Sequence, residues 1–267
     1  MAVTLASRRA CVYRHDVPCR DFATAGANLE TAAKLLDARR VSAMPVVDGD
    51  RIPIGVVSRR DLLRAGFLTK PEGRAVAEWR LPDRPVEGIM TREILAVAPA
   101  TALGEAAALM LDKRAHRVFV EEDDELQGVL TTRDIMNAIV DARLDAPLER
   151  YMHRPVESIV NIGPLAFARK RLDDLDIRGL IVAWDGRPVG VFAEEQALAC
   201  RDVDPDTPVS QVMSPQVIVE SPDVPLHLAA GRMASMHARR VVVMKGDEML
   251  GVLTGFDLAG AAALEPE

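Results

Sequence analysis

Four times along this chain a glycine leads through apolar residues into a short polar run that ends in an acid or an amide. The copies read Gly55-Val-Val-Ser-Arg-Arg-Asp61, Gly128-Val-Leu-Thr-Thr-Arg-Asp134, Gly190-Val-Phe-Ala-Glu-Glu-Gln196 and Gly251-Val-Leu-Thr-Gly-Phe-Asp257. The glycines are 73, 62 and 61 residues apart. Regular recurrence at this spacing means one supersecondary unit used four times, and no other feature restricts the possible folds as strongly. Copies one, two and four keep a Ser or Thr three residues before an Asp, whereas copy three carries Ala193 and Gln196 there.

Alignment on the glycines brings further positions into register. A leucine stands 26 residues before the first glycine (Leu29) and 25 before the others (Leu103, Leu165, Leu226). Met90, Met152 and Met213 each lie 13 residues before the leucine of their own copy, with Asp16 in the equivalent place of the first. The spacing predicts a short strand (Ile94 to Ala98 in copy two), then an amphipathic helix (Leu103 to Lys113). A β-branched strand follows (Val118 to Glu121, and Met44 to Val47 in copy one), then a turn such as Asp48-Gly-Asp50 or Asp185-Gly186. A second strand ends at the motif and a second helix begins there (Thr132 to Arg143). Each copy therefore reads β-α-β-β-α, an α/β (α+β) pattern. A unit of about 60 residues buries too little surface to be secure alone, so the units are expected to pack in pairs. Residues 67–85, with three prolines, are expected to be an inserted loop or short extra helix.

Composition narrows the functional classes. The 267 residues are 49% hydrophobic and 27% charged, as in ordinary globular proteins. A net charge of −7 argues against a general nucleic-acid binder, which needs a basic surface to displace phosphate counterions. The arginine pairs Arg8-Arg9, Arg39-Arg40, Arg59-Arg60 and Arg239-Arg240 are spread out and not gathered into one tract. Apolar runs are too short to span a bilayer and no leader pattern opens the chain, so a cytoplasmic location is expected. Cys11, Cys19 and Cys200 show no metal spacing and are read as reduced; His15, His153, His227 and His237 are read as structural or exposed. No metal site is expected. No Gly-rich Lys loop, His-Glu-x-x-His, Gly-x-Ser-x-Gly or Cys/His nucleophile arrangement is found, so no catalytic residues are assigned.

The combination of Val41-Ser-Ala-Met-Pro-Val-Val-Asp48, Gly-Val-h-[Ser/Thr]-x-x-Asp in three copies, and the lead-ins Val86-Glu-Gly-Ile-Met-Thr, Leu148-Glu-Arg-Tyr-Met-His and Val209-Ser-Gln-Val-Met-Ser resembles the CBS domain family, the repeats first described in cystathionine β-synthase. The resemblance implies two pseudo-twofold paired-CBS modules. Residues 1–145 would form the first (repeat one about 12–66, linker 67–85, repeat two about 86–145) and residues 146–263 the second (repeat three about 146–203, repeat four about 207–263). It also implies clefts for adenosine-containing ligands. Asp134, Thr131 and Arg133 would face Thr24, Val41, Ser42, Ala43, Met44 and Pro45, with backbone groups near Ser42 and Ala43 reading the adenine edge. Asp61, Ser58 and Arg60 would face Ala98, His116, Arg117 and Val118, although Phe119 stands where the family usually has proline. Asp257 and Thr254 would face Val160, Arg178 and Leu180. A fourth cleft, with Arg239 and Arg240 opposite Ala193 and Gln196, is expected to be empty.

Two readings of the motif stand side by side. A Ser or Thr followed three residues later by an acid is a helix-capping pattern, which alone accounts for Ser58/Asp61, Thr131/Asp134 and Thr254/Asp257. An Asp at a helix start can also hold a ribose diol while free backbone N–H groups take phosphate. Arg59, Arg60 and Arg133 could meet a phosphate, and Phe256 could stack on a base or join the core. The leading functional expectation is a non-catalytic regulatory sensor of an adenine nucleotide (AMP, ADP or ATP) that needs no cofactor, self-associates as a homodimer and signals to an effector protein. Alternatives are a ligand-free scaffold, or a sensor of S-adenosyl compounds or cyclic dinucleotides. Met90, Met152 and Met213 are expected to be largely buried.

Overall fold

The computed structural model describes residues 22–70, 77–123 and 125–264. The readings placed on Arg8-Arg9, Cys11, His15, Asp16 and Cys19 lie outside the described residues. Contacts divide the chain into two compact units, one containing 22–94 with 157–216 and the other 95–156 with 217–264. Neither unit is a run of consecutive repeats: repeats one and three share the first, repeats two and four the second.

In the first unit, β1 (Ala23–Thr24), α1 (Leu29–Ala38), β2 (Ala43–Val47), β3 (Pro53–Ser58) and α2 (Arg59–Ala65) follow in order. The helix crosses between the parallel strands β1 and β2, and β3 returns antiparallel to β2. The segment after α2 is a β-hairpin, β4 (Phe67–Thr69) with β5 (Glu78–Arg80), where the sequence predicted a loop or helix. The hairpin forms because Trp79 lies directly on Gly66, where any Cβ would collide with the indole. That contact buries Trp79 to 6% exposure in one core with Leu29, Leu36 and Leu62.

The second unit holds β6 (Ala96–Val97), α3 (Leu103–Asp112), β7 (Arg117–Glu122), β8 (Glu125–Thr131) and α4 (Thr132–Ala142). The first unit resumes with β9 (Ser158–Val160), α5 (Leu165–Asp174), β10 (Gly179–Trp184), β11 (Arg187–Ala193) and α6 (Glu194–Ala199). The second is completed by β12 (Ile218–Glu220), α7 (Leu226–Ser235), β13 (Arg240–Lys245), β14 (Glu248–Thr254) and α8 (Gly255–Leu264). Besides the β4–β5 hairpin, each of the four repeats has one three-stranded sheet, all with the same parallel-then-antiparallel order. Each hairpin shifts register at the same place, between Val46/Val47, Val120/Glu121, Val182/Ala183 and Val243/Met244, where the motif glycine opposes the first residue of each pair.

The apolar spacing in the helices finds its use in packing. In the second unit α3 and α4 pack against α7 and α8. Their inner faces (Ala106, Met110, Ile135, Ile139, Met233, Leu258 and Ala262) are fully or almost fully excluded from solvent. Alanines at 259, 261 and 262 and Gly255 let α8 approach closely; a Cβ at Gly255 would stand 2.8 Å from Thr132. In the first unit α2 packs on α6, and Phe192, Leu165 and Leu180 anchor the core of the third repeat. A fully buried leucine or phenylalanine contributes about 1.5–3 kcal/mol, so these repeated positions dominate stability.

The lead-in methionines and the motif glycines prove to be partners. Met90 packs over Gly55 and Met213 over Gly190 in the first unit, and Met152 over Gly251 in the second. Each lead-in is tied to the strand it covers by an isolated bridge, Thr91 to Val56, Ser214 to Val191 and His153 to Val252. Met90 is buried as expected, but Met152 and Met213 are only half-buried.

Candidate functional site

Each motif sits where a strand hands over to a helix, and the capping reading is literally present. Asp61 Oδ2 accepts from Ser58 N–H at 2.8 Å and Ser58 Oγ at 2.6 Å, while Asp61 N–H donates back to Ser58 Oγ at 3.3 Å. Asp134 Oδ2 accepts from Thr131 N–H at 2.8 Å and Thr131 Oγ1 at 2.7 Å. Asp257 Oδ2 does the same with Thr254, at 2.6 and 2.7 Å. In copy three only half of the arrangement survives: Gln196 Oε1 accepts from Ala193 N–H at 3.1 Å, and Ala193 has no hydroxyl to return.

Capping and ligand binding are therefore not exclusive. A carboxylate has two oxygens with about four acceptor positions. The cap occupies Oδ2, and Oδ1 of Asp61 and of Asp134 accepts no hydrogen bond among the described residues. Asp257 differs. His153 Nδ1 lies 3.1 Å from its Oδ1 and 3.0 Å from its Oδ2. The Asp257 hydrogen bond is the main cause that raises the His153 pKa above 6.5, and its charge adds to the effect; desolvation and Arg240 oppose it. His153 is half-exposed, as the sequence reading allowed, but it is engaged with a motif residue, which that reading missed. The signal was present in the lead-ins, where His153 takes the place of Thr91 and Ser214 directly after the methionine.

The arginines of copy one are committed within the first unit. Arg59, read as a possible phosphate ligand, is instead buried: it pairs with Asp37 and donates to the carbonyls of Val41 at 3.2 Å and Leu36 at 3.1 Å. It bolts the end of α1 to the start of α2. Arg60 pairs with Asp176 and stands 4.0 Å from buried Glu194, whose other oxygen is 3.8 Å from Arg178. Arg133 of copy two is exposed and makes no ion pair among the described residues.

The strand residues named from the sequence are also placed. Thr24 and Val160 end their first strands, Ala98 directly follows β6, and all three are exposed. Met44, Val118 and Leu180 point into the cores, and Ala43 and Pro45 are buried, so these five positions offer backbone more than side chain. The carbonyls of Ser42, His116 and Arg178 accept from the first N–H of α2, α4 and α6 (Arg59, Thr132 and Glu194) at 3.0, 3.2 and 3.3 Å. This repeated bond fixes each helix start beside its strand. Within the second unit the His116 ring lies tilted by 41° against half-buried Phe256, with centroids 5.0 Å apart, and Arg117 opposes Thr131 across the β7–β8 ladder. The described residues contain no cluster of His, Cys, Asp and Glu able to hold a metal ion, and no described helix is long and apolar enough to cross a membrane.

The family model described as CBS domain matches residues 14–67, 86–141 and 209–264, together more than half of the chain. The third repeat is unmatched, the copy whose motif lacks hydroxyl and acid. An uncharacterized 33.4 kDa protein in a ribosomal RNA operon of Thermofilum pendens is 27% identical over 184 residues, 64% of this chain and 58% of that protein. An inosine-5'-monophosphate dehydrogenase of Rhodopirellula baltica is 34% identical over 109 residues, 40% of this chain. The chain thus spans 58% and 18% of the lengths of these two curated relatives. Among solved structures, protein MJ1225 from Methanocaldococcus jannaschii, described as a putative archaeal homolog of g-AMPK, gives a TM-score of 0.76 at 16% identity, over 90% of this chain and 95% of that one. A conserved protein from Pyrococcus horikoshii gives 0.62 at 24% identity, over 83% and 91%. These likenesses establish the fold.

Proposed function

The chain belongs to the CBS domain family, and on that premise we propose that it is a non-catalytic regulatory protein that senses an adenine nucleotide (AMP, ADP or ATP). The observation that carries this reading is the division of labour in Asp61 and Asp134. One oxygen caps the helix and the other accepts nothing among the described residues. A ribose diol presents two O–H donors, and an ionised carboxylate is an acceptor only, so the two match. The start of the 11-residue α4 adds a partial positive charge that favours phosphate, with exposed Arg133 beside it.

The third segment counts in this reading as a fourth CBS-type repeat, since its β-α-β-β-α order matches the others. Its motif has lost ligand chemistry. Thr24, Val41–Pro45, Ala98, His116–Val118, Val160, Arg178 and Leu180 are assigned to ligand binding, and consecutive repeats to paired modules 1–145 and 146–263, on the sequence resemblance. The signal would pass by conformational or oligomeric change, in a cytoplasmic homodimer, to an effector protein.

The test is nucleotide titration with a matched variant. Nucleotide at about 100 times its dissociation constant stabilises the folded chain by about 2.7 kcal/mol, several degrees of melting temperature for a protein of this size. AMP, ADP or ATP are expected to give this shift and uridine nucleotides are not. Asp134→Asn is expected to weaken binding about 10- to 100-fold, the value of one charge-assisted hydrogen bond. It should also cost a few tenths to about 1 kcal/mol of stability, because the same residue caps α4. Unchanged affinity in this variant, or equal shifts with every base, refutes the reading.

A further inference from the structure

The three intact motifs are alike in their caps and unlike at one edge. In Asp61 and Asp134 the oxygen not used by the cap accepts no hydrogen bond among the described residues. In Asp257 the His153 ring spans both oxygens, at 3.1 and 3.0 Å. The main chain that carries the ring is fixed in place by the neighbouring strand. His153 N–H donates to the Val252 carbonyl at 3.0 Å and Val252 N–H to the His153 carbonyl at 3.1 Å. Met152, one residue earlier, packs over Gly251. The lead-in is thus pinned to β14 immediately before the motif, and its next side chain reaches Asp257. At the equivalent places in the other lead-ins stand Thr91 and Ser214, whose bridges to Val56 and Val191 are the same.

We propose that His153 is a specificity-determining residue that closes the motif of the fourth repeat to a ribose diol, so that this chain reads nucleotides with two acids, Asp61 and Asp134, and not with three. This inference rests on the adenine-nucleotide reading above. Two O–H donors of a ribose need acceptor positions on the carboxylate edge. In Asp257 that edge already faces a ring N–H, while Oδ2 also serves Thr254 N–H and Oγ1. A diol must displace the imidazole or go without its acceptors. The charged groups that act on His153 are Asp257, on α8, and Arg240, the first residue of β13. Asp257 favours the protonated ring and Arg240 opposes it, and protonation strengthens the closure. Arg240 is nearly buried, at 9% exposure.

His153→Thr restores the residue of the first lead-in, and calorimetric titration with AMP, ADP and ATP counts the sites. The wild type is expected to bind two equivalents per chain and His153→Thr three. The double variant His153→Thr/Asp257→Asn returns to two, which ties the gained site to Asp257. Two equivalents in both wild type and His153→Thr overturn the role of His153 and leave the nucleotide reading intact. Three in the wild type also overturn it. Absence of all nucleotide binding refutes both. A second measurement needs no nucleotide: the His153 ring resonance in wild type is expected to titrate above 6.5, the ordinary value, and to fall back toward it in Asp257→Asn. Identical titration in the two proteins means the contact is not made in solution, and the proposal fails.

Discussion

Replacing Gly251 with alanine asks whether the motif glycine and the lead-in methionine are one feature. A Cβ at Gly251 would stand 2.7 Å from Met152 Sδ and 2.9 Å from the His153 carbonyl oxygen. The thioether is flexible and can turn away. The carbonyl cannot, because it accepts Val252 N–H while His153 N–H donates to the Val252 carbonyl. Alanine must therefore push the lead-in off β14. Overpacking of this kind costs about 1–3 kcal/mol, and loss of one bridging hydrogen bond adds about 1 kcal/mol. At roughly 2–4 °C per kcal/mol, the melting temperature is expected to fall by roughly 4–16 °C. Gly260→Ala is the matched control. No heavy atom lies within 4 Å of its Cβ position inside α8, and alanine in a helix interior gains roughly 0.5–1 kcal/mol over glycine. The same chemical change thus moves stability in opposite directions at two sites nine residues apart in sequence. Thermal melts followed by circular dichroism, without nucleotide, decide the matter. Gly251→Ala melting at or above the wild type refutes the argument. Adding Met152→Ala should recover only part of the loss; complete recovery would show that the carbonyl is no obstacle.

The His153 pKa is raised by Asp257, so the stabilisation from their pairing is fully present below the unfolded value of 6.5 and is lost as pH rises through the higher folded value. For a half-exposed pair this is roughly 0.2–1 kcal/mol, read as a pH-dependent melting difference between wild type and His153→Thr that shrinks on the alkaline side; a difference that grows with pH contradicts the pairing. Arg114 ends α3 in the left-handed region at φ 49° and is exposed. Arg114→Gly is expected to stabilise by up to about 1 kcal/mol in denaturant titration. Asp176→Gly, at φ 54°, should gain less because Asp176 pairs with Arg60 and Arg64.

Much of the candidate site was legible because it is local. The caps join residues three positions apart, so the Ser/Thr and Asp pattern shows them directly. What the pattern cannot show is which oxygen the cap uses; because the cap takes only Oδ2, capping does not exclude binding. Arg59 reads as a surface cation beside Arg60, yet it is buried because its partners, Asp37 and the Leu36 carbonyl, lie 22 and 23 residues earlier. The hairpin of β4 and β5 was missed for a similar reason: its few strand residues have no periodicity, and the contact of Trp79 with Gly66 creates it.

The sequence by itself determined that this chain is a CBS-type array of β-α-β-β-α copies, and that copy three lacks the hydroxyl and acid of the others. Helix and hairpin hydrogen bonds close within a few residues, so periodicity and turn chemistry suffice to specify them. Only the tertiary structure decided that repeat one shares a compact unit with three and repeat two with four, because that depends on which helix faces fit. It alone decided that each lead-in methionine covers a motif glycine, and that His153 reaches Asp257 from 104 residues away. Local propensity carries no information across that distance. The complementarity of packed surfaces supplies it, and this packing engages the second oxygen of Asp257 while those of Asp61 and Asp134 accept nothing among the described residues.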